Sequence, residues 1–197
     1  MGRPKTYDPE EIARKAMELF WQRGFHATST QDLVEHMNVN RYSLYAEFGS
    51  KQGLYEAALS LYVRDVVTHF FGAIEGPDAG IAEIDALFAF FGANARRPGS
   101  ERGCLMCNSA TERAPFDVSS RNFVSTHLDR ISGAFTRALN NSKRRGEIRA
   151  DVRTTDEGRF LATTMLGFSV LLRARVEPKM VGAASRSARH HLNGLMT

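Results

Sequence analysis

Apolar positions recur along this chain at three- and four-residue spacing, the period of helices buried on one face, and no stretch alternates as a half-buried strand would. The first run, Ile12, Ala16, Leu19 and Phe20, is preceded by Asp8, Pro9 and Glu11. That order predicts a helix with Asp8 as N-cap, Pro9 in its first position and Glu11 completing a capping box. Gly24 ends it by accepting a left-handed conformation. Thr28, with Gln31 three residues on, predicts a second start ahead of Leu33, Val34 and Met37, and that short helix stops near Asn38. Asn40 is expected to cap a third helix carrying Leu44 and Phe48. Gly49-Ser50 breaks it, and Ser50 caps a fourth that runs from about Lys51 to Gly72 with Leu54, Ala58, Leu61 and Val66 inward.

Beyond the linker Gly76-Pro77-Asp78-Ala79-Gly80, the same period predicts helices at about 81–96, 104–113, 119–143, 155–176 and 179–195. Phe160, Leu161, Met165, Leu166, Phe168, Val170, Leu171 and Leu172 crowd one of them, and a helix apolar on most sides needs burial on more than one face. A bundle shared with a second copy, or an internal cavity, would supply that. The chain therefore reads as all-α: an N-terminal three-helix, helix-turn-helix module in residues 1–55 and a larger helical domain in residues 56–197.

Composition changes this picture little. At 43% apolar and 24% charged residues the chain is ordinary for a soluble globular protein. No window reaches the ~18 uninterrupted apolar residues that cross a bilayer. The N-terminus lacks the apolar core of a secretory signal, and although Gly2 and Thr6 formally match a myristoylation pattern, Pro4 and the want of other membrane signals argue against it. Two cysteines, Cys104 and Cys107, are too few and too close to staple a fold of this size, so the cytoplasm is the expected compartment. The net charge of +4 hints at a polyanionic partner, yet the charges of residues 1–55 cancel and the excess lies at Lys143, Arg144, Arg145, Arg149 and Arg153. Any case for nucleic acid must come from placement.

Placement makes that case. Two short helices sharing a tight turn can brace a reading helix and present it to a major groove. The first turn of that helix, Asn40, Arg41, Tyr42 and Ser43, would face base edges, with Arg41 suited to guanine and Tyr42 to stacking or a thymine methyl. Thr28, Tyr45 and Lys51 are placed for phosphates, two of them beside helix N-termini whose backbone N–H groups favour anions, and Ser29 is a further DNA-binding candidate. Gly2-Arg3-Pro4-Lys5 reads either as an arm for a narrow minor groove or as a plain basic tail.

The series Gly24-Phe25, Thr28-Ser29-Thr30, Leu44-Tyr45-Ala46-Glu47-Phe48 and Ser50-Lys51 resembles the N-terminal domain of the TetR family of repressors, over roughly residues 8–60. Two positions depart from the family pattern: Asn38 stands where the turn usually has glycine, and Tyr42 where a small residue is usual. The resemblance implies an all-α homodimer, double-stranded operator DNA of two-fold symmetry as partner, and a C-terminal domain that dimerises and binds a small-molecule inducer of unknown identity. It implies no enzymatic activity, no cofactor and no membrane partner.

In the second domain, Phe70, Phe88, Phe91, Met106, Phe135, Met165 and Phe168 are candidate ligand-binding residues, with Asn108 as a polar orienter, although aromatics at helical spacing also make ordinary core. Leu166, Val170, Leu192 and Leu195 are expected at the dimer interface. Cys104 and Cys107 admit two readings. A thiol at a helix start beside Arg102 has a stabilised thiolate, with Cys107 one turn on as resolving partner, and Gly103-Cys104-Leu105 with Asn108 resembles a subset of TetR-family regulators, some of which respond to electrophiles or oxidants. Alternatively both are small packing residues. A lone C-x-x-C with only His127 nearby in this sequence is weak as a metal site, and none is expected. No HExxH, nucleophile elbow or phosphate-binding glycine loop occurs.

Overall fold

A computed structural model describes residues 7–197, so the basic stretch Gly2-Arg3-Pro4-Lys5 lies outside the described residues. The fold is all-α. By packing, the chain divides into two compact units: one runs to His69 and takes in Asn108–Val124, the other is Phe70–Cys107 with Ser125–Thr197. A single cut after residue 55 does not describe this division, because a segment far along the chain folds with the N-terminal helices.

In the first unit, α1 (Pro9–Arg23) begins at Asp8, whose carboxylate accepts from Glu10 N at 3.0 Å. Glu11 does not complete a capping box as expected; it pairs with Lys15 one turn on, at 2.8 Å. Gly24 closes the helix at φ 91°, its N–H donating to Phe20 O. The start of α2 (Thr30–Met37) is Ser29 rather than Thr28: Ser29 Oγ accepts from Asp32 N at 3.0 Å, and Asp32 Oδ2 accepts from Ser29 N at 2.7 Å. Thr28 fails as a cap because its hydroxyl is buried and donates to Gly24 O at 2.6 Å, closing the turn after α1. Asn38 ends α2 in the left-handed region, φ 54° and ψ 48°, a conformation asparagine tolerates well. Asn40 caps α3 (Arg41–Phe48) by accepting from Ser43 N at 2.7 Å, and Ser50 caps α4 (Lys51–Tyr62) by accepting from Gly53 N at 3.0 Å.

The fourth helix was expected to run unbroken to about Gly72. Instead α4 passes into a π turn, Val63–Val67, and resumes as α5 (Thr68–Glu75). Val63 O accepts the Thr68 N–H across the π turn, and Thr68 Oγ1 donates to the same carbonyl at 3.0 Å. Within the turn Asp65 takes Arg14 at 2.7 Å and Arg64 at 2.6 Å, and Arg64 also holds Glu10. The core of this unit is aromatic: Phe20 packs edge-on to Tyr55 at 5.0 Å and beside Phe25 at 5.9 Å, with Ala16, Leu33, Leu44 and Leu54 buried.

In the second unit, α6 (Ile81–Asn94) lies along α10 (Pro178–Asn193). Ser185 Oγ donates to Phe88 O at 2.8 Å, and a Cβ on Gly92 would meet Ser185 Oγ at 2.6 Å, so glycine there permits the approach. Arg189 forks onto Asp85 across the pair with two contacts of 2.8 Å. A 3₁₀ turn, Ser100–Arg102, leads to α7 (Leu105–Glu112), then α8 (Val118–Arg144) and α9 (Thr154–Arg173). α7 and α8 each begin in one unit and end in the other. No helix among the described residues is long and apolar enough to cross a membrane.

Candidate nucleic-acid interface and thiol site

The first turn of α3 presents two side chains to solvent: Arg41 is exposed, and Tyr42 is 84% exposed, the extreme among the large apolar side chains of the described residues. A large ring held in water on a capped, rigid turn gains nothing from the fold, which is why it stands out. Asn40 is exposed with its side-chain oxygen engaged in the cap, and Ser43 is half-buried, its carbonyl accepting from Tyr7 Oη at 3.2 Å. Tyr45 lies one turn on, its hydroxyl 3.1 Å from Thr30 Oγ1 and its ring 5.4 Å from the Arg41 guanidinium carbon. Contact with the Thr30 hydroxyl, and secondarily Arg41, holds the Tyr45 phenol below its ordinary range. Thr30 was missed by sequence reasoning; its partner is fifteen residues away, with no local signal.

Two expected phosphate contacts turn inward. Thr28 is buried, as described above. Lys51 Nζ donates to Phe25 O at 2.5 Å and sits 4.1 Å from the Phe25 ring centroid, and burial lowers its pKa. Ser29 stays exposed but its hydroxyl is taken up by Asp32. These contacts correct the roles of Thr28 and Lys51: both brace the turn that carries α2.

That turn has a further support invisible in the sequence. Glu112, at the end of α7, accepts from Phe25 N at 3.0 Å and His26 N at 2.6 Å, one amide on each carboxylate oxygen. A Cβ on Gly24 would meet this carboxylate at 2.8 Å. Arg113 caps the Phe25 ring at 4.2 Å and donates to Gln52 Oε1 at 2.8 Å, and Gln52 in turn donates to Asp117 Oδ2 at 3.0 Å. Asn108, expected in a ligand site of the second domain, belongs by packing to this first unit.

The remaining ligand candidates form a core. Phe88 stacks on Phe135 at 6.2 Å and meets Phe168 edge-on at 5.7 Å, while Phe91 stacks on Phe168 at 5.2 Å. Met106 and Met165 are buried with them, and Phe70 adjoins Phe91 at 5.7 Å. A polar hollow of about 380 Å³ lies elsewhere, lined by Lys143, Asp151, Val152, Arg153, Thr154, Thr155 and Asp156. Of the expected dimer residues, Leu192 and Leu195 are buried within their own chain, Leu195 O accepting from Arg149 N at 2.9 Å, so neither is free to meet a second copy. Leu166 is half-buried. On α9 the exposed positions include Phe160, Thr163, Gly167 and Val170, a stripe at helical spacing, and Met180 is exposed on α10.

Cys104 immediately precedes α7 and Cys107 lies one turn in; both are half-buried and reduced. Cys104 Sγ is 3.8 Å from His127 Nε2 on α8. A hydrogen bond from Cys107, then one from His127, holds the Cys104 thiol well below its ordinary range, and the same Cys104–Cys107 contact together with burial pushes Cys107 up. The stabilising partners are thus Cys107 and His127 rather than the expected Arg102. Gly103 has φ 62°, and a Cβ on it would meet the carbonyl oxygen of Ser169 at 2.6 Å, so only glycine lets the chain pass α9 here. Among the described residues no group of three or more His, Cys, Asp or Glu side chains is arranged to hold a metal ion.

Residues 12–58 match the family model described as bacterial regulatory proteins, tetR family, and residues 80–188 match that described as tetracyclin repressor-like, C-terminal domain. The transcriptional repressor ComR of Escherichia coli is 32% identical over 176 residues, 87% of this chain and 82% of that one. The regulator YezE of Bacillus subtilis is 30% identical over 152 residues, 77% of this chain and 78% of that one. Among solved structures, a cysteine mutant of the regulator CifR complexed with 26bp double-strand operator DNA superimposes with a TM-score of 0.83 at 27% identity, covering 95% of this chain and 98% of that one.

Proposed function

The chain belongs to the TetR family of bacterial regulatory proteins and is a DNA-binding transcriptional regulator rather than an enzyme, and from that premise we propose that it is a cytoplasmic, homodimeric repressor released from its operator by a small-molecule inducer. In this reading α3 enters the major groove, Arg41 donates to a guanine, and Tyr42 stacks or meets a thymine methyl. Asn40, Ser43, Tyr45 and the exposed start of α2 lie against the backbone and fix the register. The observation that carries it is Tyr42, 84% exposed beside Arg41 on a turn already capped by Asn40.

Two copies would present their α3 helices about one DNA turn apart, ~34–36 Å. The exposed α9 stripe of Phe160 and Val170, with Met180 of α10, supports pairing through these helices. An inducer held at the aromatic cluster of Phe88, Phe91, Phe135 and Phe168 would favour a conformer in which α4 tilts and the spacing is lost. A differential affinity of ~3 kcal/mol between conformers changes operator binding on the order of a hundredfold.

The test is to select the operator from random duplexes and compare wild type with Arg41→Ala. The variant should lose about tenfold to a hundredfold in affinity and relax at one base pair, while remaining a folded dimer. Unchanged affinity and selectivity would remove Arg41 from the reading.

A second reading, release by chemistry on Cys104 and Cys107, is favoured by one observation: the 3.8 Å contact between Cys104 Sγ and His127 Nε2. Under it, Cys104→Ser binds operator normally and no longer responds to oxidant.

A further inference from the structure

The histidine beside the cysteine pair is itself unusual. His127 is only 4% exposed, its Nε2 faces Cys104 Sγ, and its Nδ1 is buried with no hydrogen-bond partner among the described residues. Buried polar atoms are nearly always paired, and an orphaned N–H is worse than an orphaned lone pair. Assigning the tautomer by that rule puts the proton on Nε2, where it donates to the Cys104 sulfur and leaves only a bare lone pair on Nδ1. A sulfur that receives N–H donors is a sulfur prepared to carry negative charge. The second thiol is arranged around the same atom. Cys107 is the third residue of α7, and its side chain and backbone N–H both hydrogen-bond to Cys104, which therefore caps the helix with sulfur. Gly103, held at φ 62° against Ser169 O, fixes where that cap sits. Both cysteines are half-buried.

We infer that Cys104 and Cys107 form a two-electron switch in which a hydroperoxide oxidises Cys104 and Cys107 then closes an intrachain disulfide upon it, with His127 positioning the attacking sulfur; this rests on the second reading above. The Cys104 thiolate, its proton given to solvent, attacks the terminal oxygen of the hydroperoxide. The O–O bond breaks, the departing alkoxide takes up a proton from solvent, and Cys104 is left as the sulfenic acid. Cys107 sulfur then attacks Cys104 sulfur. The S–O bond breaks, and the leaving hydroxide departs as water with the Cys107 proton. Two thiols and one hydroperoxide give one disulfide, one alcohol and one water. Cys107 keeps its proton while Cys104 carries the charge; once Cys104 is oxidised that neighbouring charge is gone, and Cys107 gives up its proton as it attacks.

The experiment treats the reduced full-length protein with tert-butyl hydroperoxide and reads intact mass with and without dithiothreitol. Wild type should lose two hydrogens reversibly. Cys107→Ser should stop at one added oxygen that dimedone traps, and Cys104→Ser should not change. Alkylation of Cys104 by iodoacetamide across pH should shift to higher pH in His127→Leu, about tenfold slower at neutral pH, with partial rescue in His127→Gln, whose amide N–H can donate. A merely structural His127 would leave that profile in place. Wild type that keeps both hydrogens while free glutathione is oxidised, a bond between chains instead of within one, or oxygen added to Cys107 in Cys104→Ser would each overturn the inference. Operator affinity measured on the same samples separates the two levels: disulfide formation with unaltered affinity sinks the regulatory reading and leaves the chemistry standing.

Discussion

At the scale of single residues, the side chains that hold the reading module together are those with partners far away in sequence. Glu112 accepts two amides on its two oxygens, so Glu112→Gln would turn an NH₂ group toward one of them. Losing a charge-assisted bond and leaving a donor unpaired destabilises by about 2–3 kcal/mol. Denaturant unfolding should show that loss, and amide exchange at Phe25 and His26 should quicken; an unaltered midpoint would dismiss Glu112 as a brace. The same distance in sequence explains which residues were misassigned from composition and spacing. Thr28 and Lys51 sit where a phosphate contact is expected, yet Thr28 bonds Gly24 O and Lys51 bonds Phe25 O, contacts fixed by how the loop folds. That Arg41 and Tyr42 open a helix was readable because the local cap at Asn40 decides it.

At the scale of elements, what was readable was punctuation. Gly24, Asn38, Asn40 and Ser50 mark helix ends because caps and left-handed residues act over three or four positions. The π turn at Val63–Val67 left no such mark; an uninterrupted apolar period runs through it, and its ion network draws on Glu10 and Arg14 of α1. That network has a pH signature. Hydrogen bonds from Arg64 and then Arg14 hold the Asp65 carboxyl down to about 2, from an ordinary 3.8. A carboxyl depressed in the folded state contributes stability that is whole above its unfolded value and is lost as pH falls through its folded one. Asp65→Asn should therefore flatten the decline in melting temperature as pH drops from 3.8 to about 2, the two proteins converging at the acid end. Parallel curves through that window would show that the ion network is not felt by the fold, and added salt should shrink the difference.

At the scale of the whole molecule, the helical class and the order of domains were legible because the N-terminal series from Gly24-Phe25 to Ser50-Lys51 is specific and ordered. Of the residues expected at a dimer face, Val170 is exposed, but Leu192 and Leu195 are consumed by their own chain, since sequence periodicity does not say which of two apolar stripes faces inward. Phe160→Glu combined with Val170→Glu should leave a folded monomer by light scattering, with operator affinity reduced on the order of a hundredfold or more, as expected when two half-sites no longer bind together. A dimer that survives both changes would move the interface elsewhere. Least legible was the composition of the first unit, which takes residues 108–124 from beyond a domain boundary that spacing alone would draw at 55. This bears on portability. A chimera that grafts only the N-terminal helices onto another regulator's body leaves behind the carboxylate that fastens Phe25 and His26, and inherits whatever its new host offers at that point. Operator preference should transplant cleanly only when the distant segment travels with the head.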